Sequence, residues 1–433
     1  MRLFLLLALY RAVLPLLFLT AFPGWLVKMI RRGGLKTPLA ERVAIYTSDP
    51  IYEPLGQVHF HAVSVGETLL AIKIIHQWRL SEPERKFVIA TGTATGFSTA
   101  LGAALDCVRV TYAPLDFPWM VRRYLMRFEP SQIVLIEGDL WPHLLLTCHK
   151  KQIPVRLVNA RMSPRSARRY LRLANLLQPV FSTLVAVAIQ EQDDAGLWTA
   201  LGVDAGNIHH TGSLKFDPNS GTLPQRREDF QILLDRIGIR IPVILAASTH
   251  PDEEAWRASA IYQAAPHALP IMVPRHAERR EQVAADLAKA GFMPVLRSEI
   301  SVRQVVDSNL PIVFVVDSTG ELRDWTANAD VVIIGKSFLV SGGQNPCEAI
   351  LANKPVIFGP RMENFEPLAS DLVRNGGALC AASRDELITA IRSALDSQRA
   401  ARMTETASRL LEAHKGATER IVALLGSRPV KTI

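Results

Sequence analysis

Three side chains in the first half of the chain stand where strands end. Glu67 closes the stretch VHFHAVSVGE (Val58–Glu67), Glu137 lies in IEGDLWP (Ile136–Pro142), and Lys215 lies in TGSLKFD (Thr211–Asp217). Parallel sheets place ligands outside the carboxyl ends of their strands. Two carboxylates and an amine at one such edge suit an acceptor hydroxyl: one group takes its proton, and the others position it and balance charge. Glu67 has a second reading, as the first-turn carboxylate that a helix N-terminus favours. Asn159-Ala160-Arg161, followed by Arg165, Arg168 and Arg169, is either a solvated helix face or a grip for acceptor phosphates.

The second half carries a different chemistry. Ala247-Ser248-Thr249-His250 ends one strand, Val273-Pro274-Arg275-His276 the next, and Asp317-Ser318-Thr319-Gly320-Glu321 a third. Gly342-Gly343-Gln344-Asn345-Pro346-Cys347-Glu348 is a glycine-rich loop that opens a helix. Glycine N–H groups leading into a helix suit a phosphate, and Arg275 supplies a charge-assisted partner. Glu348, on the first turn, suits ribose hydroxyls. Taken singly, each of these loops is equally an ordinary helix cap. No Asp-x-Asp occurs in the chain, which argues against a metal-dependent transferase gripping a sugar diphosphate. His59 and His61 share a strand face as a zinc pair would, but no third ligand follows at suitable spacing.

Short apolar runs deliver these loops. Phe87–Thr91, Val108–Ala113, Ile133–Glu137, Val155–Asn159 and Leu184–Ile189 alternate with helical stretches, the pattern of a parallel sheet buried on both faces. Pro218–Arg227 (PNSGTLPQRR) breaks the pattern. It restarts with Val243–Ala247, Leu269–Val273, Val313–Val316, Val331–Ile334 and Val356–Phe358, and a helical stretch closes the chain over Ala400–Leu425. The class is therefore α/β. Two Rossmann-like domains facing across a cleft are expected, 40–217 for the acceptor and 228–399 for the nucleotide sugar, then a C-terminal helix over 400–433. A GT-B glycosyltransferase would read this way.

Composition narrows the partners. With 433 residues, 48% hydrophobic and 21% charged, the chain is globular and long enough for two cores. A net charge of +8 points to an anionic partner. No helix-turn-helix, zinc-finger or RNP signature supports nucleic acid, which leaves anionic lipid or a phosphorylated substrate. Cys107, Cys148, Cys347 and Cys380 are scattered without a CxxC pair and read as reduced cytoplasmic thiols. Leu3–Leu9 and Ala12–Leu26 are nearly all apolar, broken by Arg11; Lys28, Arg31 and Arg32 follow, and there is no cleavage site. Residues 1–32 are expected to anchor the chain to a membrane. The helix either spans the bilayer or lies on it, with the basic cluster at the anionic cytoplasmic face.

The motifs together resemble a known family. HAVSVGE (His61–Glu67), APLDFP (Ala113–Pro118), EGDLWP (Glu137–Pro142), LVNARMS (Leu157–Ser163) and TGSLKFD (Thr211–Asp217) are similar to motifs of the bacterial Kdo transferases. So are ASTHPDEE (Ala247–Glu254), VPRHAER (Val273–Arg279), STGEL (Ser318–Leu322), GGQNPCE (Gly342–Glu348) and FGPRMENF (Phe358–Phe365), in the family's order. These enzymes move 3-deoxy-D-manno-oct-2-ulosonic acid (Kdo) from CMP-Kdo to a lipid A precursor. The resemblance implies a GT-B fold and inverting transfer to lipid IVA without metal or cofactor, CMP-Kdo being a substrate. It implies Glu67 as proton acceptor, with Glu137 and Lys215 stabilising the transition state. CMP contacts would fall on Pro274, Arg275, Thr319, Gly320, Glu321, Asn345, Pro346, Cys347 and Glu348.

Departures from the family pattern occur at Gly138 and Asp139 (EGDLWP for ETELWP), Thr319 for methionine, Gln344 for histidine, and NPCEA for NPLEP. They bear on fine specificity and on the number of Kdo residues added. Two other readings compete. A different GT-B nucleotide-sugar transferase would share the second-half loops but not Glu67, Glu137 and Arg161. A catalytically silent membrane-bound homologue would keep only CMP binding.

Overall fold

The computed structural model describes residues 7–8, 10–16, 19–20, 23–24, 37–46, 56–138, 140–217, 224–237, 242–300 and 309–427. The chain divides into two compact units, Met1–Ser220 with His414–Ile433, and Gly221–Ala413.

The first unit is built on a seven-stranded sheet of order β3-β2-β1-β4-β5-β6-β7. Its strands are β1 Val58–Ala62, β2 Phe87–Thr91, β3 Val108–Tyr112, β4 Gln132–Ile136, β5 Val155–Ala160, β6 Ala186–Ile189 and β7 Ile208–His210, every pairing parallel. Successive strand residues point to opposite faces. Accordingly Ile133 and Leu135 join one core cluster while Val134 and Ile136 join another. With both faces covered, inner strands such as β4 and β6 are apolar without alternation. Helices start where the sequence supplies caps: Ser64 and Thr93 accept the N–H groups of Glu67 and Gly96, and Pro118, Pro142 and Pro164 open three more. Strand order reverses between β1 and β4, which pair with Phe60 opposite Val134. That reversal opens the crevice in which such sheets bind ligands.

The second unit repeats the plan with β8 Val243–Thr249, β9 Leu269–Pro274, β10 Met293–Leu296, β11 Ile312–Val315, β12 Val331–Ile334, β13 Val356–Phe358 and β14 Leu379–Cys380. The order is β10-β11-β9-β8-β12-β13-β14, and it reverses between β8 and β12. Ile244, Ala246, Val313, Val315, Val331 and Ile333 bury one face in a single cluster. Trp325, fully buried, stacks on Phe230 at 4.0 Å and meets Phe314 edge-on at 5.2 Å.

The closing segment is two helices rather than the one expected over 400–433. Ser397–Glu412 belongs to the second unit and Ala417–Gly426 to the first, with Gly416 between them at φ 74°. Ile421 and Leu425 pack into the cluster under the helix Val65–Ser81. Among the described residues no helix is long and apolar enough to cross a membrane. Most of the expected anchor, including Lys28, Arg31 and Arg32, lies outside the described residues, as do 218–223 of the interdomain break. What is described of the N-terminus docks on the first unit. Tyr10 Oη donates to Asp116 Oδ2 at 2.9 Å, and Arg11 Nε donates to His143 Nε2 at 3.3 Å. Arg11, the charge that interrupts the apolar run, thus has a protein partner.

Candidate functional site

Both parallel sheets deliver their candidate residues to one edge. In the first unit, Glu67 follows β1 and Glu137 follows the adjacent β4, one on each side of the strand-order reversal. Ser64 caps the helix Val65–Ser81, and Glu67 completes the reciprocal arrangement: its Oε2 accepts from Val63 N at 2.7 Å and its Oε1 from Ser64 Oγ at 2.8 Å. Each carboxylate oxygen has a further lone pair, so the cap leaves room to accept a proton. The helix-cap reading and the base reading of Glu67 are therefore compatible.

Glu137 adopts φ 66°, a left-handed conformation uncommon for a residue with a Cβ. Its backbone is pinned on both sides, Glu137 N donating to Val158 O at 3.0 Å and Arg161 N donating to Glu137 O at 2.9 Å. Its side chain meets Lys215, Nζ to Oε1 at 2.5 Å, with each side chain 26% exposed. The structure thus joins two of the three sequence-derived residues directly and sets the third on the neighbouring strand end. Asp139, the other carboxylate of that loop, lies outside the described residues.

Asn159, at the end of β5, organises this edge. It is fully buried at φ 53°, accepts Leu214 N on Oδ1 at 2.9 Å, and reaches Glu137 Oε1 with Nδ2 at 3.5 Å. Its carbonyl accepts from Gln190 Nε2 at 2.9 Å, which draws in the end of β6. The Lys215 loop is also held from far along the chain. Ser213 N donates to His414 Nδ1 at 3.2 Å, Thr418 N and Oγ1 donate to Asp217 Oδ2 at 2.7 and 2.6 Å, and Arg420 donates to Thr211 O. Burial keeps His414 neutral, its pKa pushed down to about 4, with His210 and Arg420 adding to the push and Asp217 opposing it. A neutral ring is what an Nδ1 acceptor requires.

The two histidines of β1 are structural. Both are buried; His59 Nδ1 lies 2.7 Å from Tyr124 Oη. Burial pushes His59 down to about 3, with His61 contributing, and His61 to about 4. Among the described residues no group of three or more His, Cys, Asp or Glu is placed to hold a metal ion. Beyond β5, the helix Pro164–Arg172 buries no residue, and Arg165, Arg168 and Arg169 are exposed.

In the second unit, the loops after β8, β9, β11 and β12 share one edge, their strands adjacent in the order β11-β9-β8-β12. Pro274 ends β9 and Arg275 follows, exposed. Asn345 Oδ1 accepts Cys347 N at 3.0 Å at the start of the short helix Cys347–Leu351, whose second residue is Glu348. Burial pushes the Glu348 carboxyl above its ordinary range, while Arg323 and Arg275 pull it back and Asp324 adds to the push. Arg275 and Arg323 thus lie near enough to Glu348 for their charges to be felt there. Thr319 and Gly320 are exposed, Gly320 at φ 88°. The Glu321 carboxylate is engaged within the unit, taking Arg297 Nε at 2.9 Å and Nη2 at 3.0 Å as well as Ser318 Oγ.

A family model for 3-deoxy-D-manno-octulosonic-acid transferase (kdotransferase) matches residues 37–218. The 3-deoxy-D-manno-octulosonic acid transferase of Bordetella pertussis is 32% identical over 440 residues, 96% of each chain. The chain belongs to the Kdo transferase family. The Haemophilus influenzae Kdo transferase is 31% identical over 395 residues, 89% of this chain and 90% of that one. Among solved structures, the Anabaena protein HepE in complex with UDP aligns at TM-score 0.54 and 17% identity, over 86% of this chain and all of that one. A Rickettsia africae glycosyltransferase aligns at TM-score 0.54 and 12% identity, over 87% of this chain and 100% of that one. These two show the fold, two parallel-sheet α/β units of the GT-B kind.

As a Kdo transferase, the chain shows what motif reading passes over. Asn159 lay inside LVNARMS, and its signal was a residue type that tolerates left-handed backbone at a strand end. Arg323 sits two residues past Glu321, a charge next to a recognised motif. His414, Thr418 and Arg420 carry no signal at all, because roughly 200 residues of chain separate them from the loop they hold.

Proposed function

We propose that this Kdo transferase takes Kdo from CMP-Kdo and transfers it with inversion to a lipid A precursor, lipid IVA, at the cytoplasmic face of the inner membrane. The observation that carries this reading is the Lys215–Glu137 ion pair at the strand end next to the one bearing Glu67. A silent CMP-binding homologue would have no use for it.

In this mechanism Glu67 removes the proton of the acceptor hydroxyl as that oxygen attacks the anomeric carbon of Kdo. The sugar passes through an oxocarbenium-like state, and CMP leaves with the bonding electron pair. Glu137 offsets the positive charge developing on the sugar, and Lys215 balances the negative groups around it. Arg275 and Arg323 supply positive charge for the single phosphate of the donor, so the step needs no metal. Glu348, partly desolvated, accepts from ribose hydroxyls. The exposed arginines of Pro164–Arg172 suit the acceptor's phosphates.

The donor assignment has a direct test. Arg275→Ala and Glu348→Ala should each weaken CMP binding about ten- to a hundred-fold, since a hydrogen bond to a charged group is worth ~1.5–3 kcal/mol. Calorimetry finding the wild-type affinity in both variants would place the nucleotide elsewhere.

Residues 1–32 anchor the enzyme beside its lipid acceptor. A chain starting at Thr37 should leave the membrane fraction, keep CMP binding, and lose more activity on acceptor in bilayers than on acceptor in detergent. Full activity of that truncation on bilayer acceptor would refute the anchoring role.

A further inference from the structure

Lys336 belongs to none of the motifs, yet it occupies the crevice of the second unit. It follows Gly335 at the carboxyl end of β12, where strand order reverses against β8. Gly335 has a packing reason to be glycine, because a Cβ there would fall onto the Ser248 carbonyl. Lys336 has a conformational reason to be glycine as well, with φ 56°, but it keeps a long cationic side chain. Such backbone persists in a residue with a Cβ only when its surroundings over-determine it.

They do so here. Lys336 N donates to both oxygens of Glu253 at 3.1 Å, and Lys336 O accepts from Gly343 N at 3.2 Å. Glu253 is fully buried and also takes His250 N at 2.9 Å and Arg257 Nη2 at 3.1 Å. One buried carboxylate thereby ties the β8 loop to the β12 loop and fixes where the Lys336 side chain starts.

The ammonium lies beside the glycine-rich turn, 3.5 Å from where a Cβ on Gly342 would stand. Its charge and that of Arg279 are both felt at His250, whose pKa burial already lowers. The neighbouring cations have counter-ions: Arg257 pairs with Glu253, and Arg279 pairs with Glu254 at 3.0 Å. Among the described residues no carboxylate lies within salt-bridge distance of Lys336 Nζ. A half-buried ammonium on a fixed backbone, at a ligand crevice and without a counter-ion, is a site for an anionic ligand oxygen.

We infer that Lys336 is a further donor-binding residue, its ammonium pairing with an anionic oxygen of the sugar nucleotide, either the phosphate or the sugar carboxylate. This rests on CMP-Kdo being the donor. Lys336→Gly is the informative variant, because glycine adopts this backbone without strain and removes only the side chain. Its melting temperature, compared with wild type, controls for folding. Calorimetry with cytidine and with CMP, and KM for CMP-Kdo, separate the two oxygens. If Lys336 holds the phosphate, Lys336→Gly loses about ten- to a hundred-fold in CMP affinity with cytidine affinity unchanged. If it holds the sugar carboxylate, CMP affinity stays and KM for CMP-Kdo rises by a similar factor. Lys336→Arg should keep most of the affinity in either case. Unchanged CMP affinity together with unchanged CMP-Kdo KM overturns the inference, as does an equal loss for cytidine and CMP. Wild-type protein that binds no CMP overturns the donor assignment itself, and this inference with it.

Discussion

Glu67→Gln should lower kcat for transfer ~10²–10⁴-fold, the usual loss on removing a general base. CMP affinity should stay at the wild-type value, because the proposed base acts on the acceptor hydroxyl and follows a strand of a different sheet from the residues proposed to hold the nucleotide. The variant is also a fair one structurally. Glutamine serves at the third helical position of a capping box as glutamate does, so the helix Val65–Ser81 keeps its start. What it loses is one acceptor oxygen, facing either Val63 N or Ser64 Oγ. That costs on the order of 1 kcal/mol of stability. The expected rate loss corresponds to about 3–5 kcal/mol of barrier, so a stability effect cannot imitate it. Initial rates beside CMP calorimetry settle the matter, and near-wild-type turnover would remove Glu67 from the chemistry.

Lys215→Met and Glu137→Gln should each lower kcat roughly 10²–10³-fold, the range for losing one preorganised charge aimed at the transition state. Both side chains are 26% exposed, so water screens the pair and its share of stability is small, ~1 kcal/mol or less. Melting temperatures should therefore barely move while turnover collapses. Because Asn159 and the ion pair bind the two residues into one unit, the double variant should be little worse than either single one. Rate losses that multiply in the double variant would mean that Glu137 and Lys215 act independently.

Apart from the edge strand β3, which was recognised despite an exposed Arg109, the strands that the sequence revealed are those with two buried faces. β2, β12 and β13 coincide with apolar runs because helices cover both sides of each. The three strands without such a signal, β7, β10 and β14, are all at sheet edges. β7 is Ile-His-His with its residues partly exposed, β10 contains Pro294 beside an exposed Met293, and β14 is two residues long. Edge strands need only half a set of apolar residues and tolerate proline, so periodicity misses them.

The candidate site was legible to the same degree. Glu67, Glu137, Lys215, Arg275 and Glu348 stand out because charged residues at the ends of apolar strands have few structural reasons to be there. The groups that hold them are visible only in three dimensions. Nothing in the sequence joins His414 to Ser213, and nothing makes Glu253 more than one acid among several in PDEE. The single closing helix failed for a related reason: the turn between the two helices rests on one left-handed glycine, Gly416, which leaves no break in the helical pattern on either side.

The most direct test of the whole account uses the purified full chain with CMP-Kdo, in the presence and absence of a lipid A precursor and with a metal chelator throughout. Free CMP and the mass of the lipid are followed together. The account predicts CMP release above the enzyme-free rate only when the lipid is present, with one CMP formed for each Kdo mass gained. CMP release at the same rate without the lipid, or a lipid whose mass does not change, would contradict it.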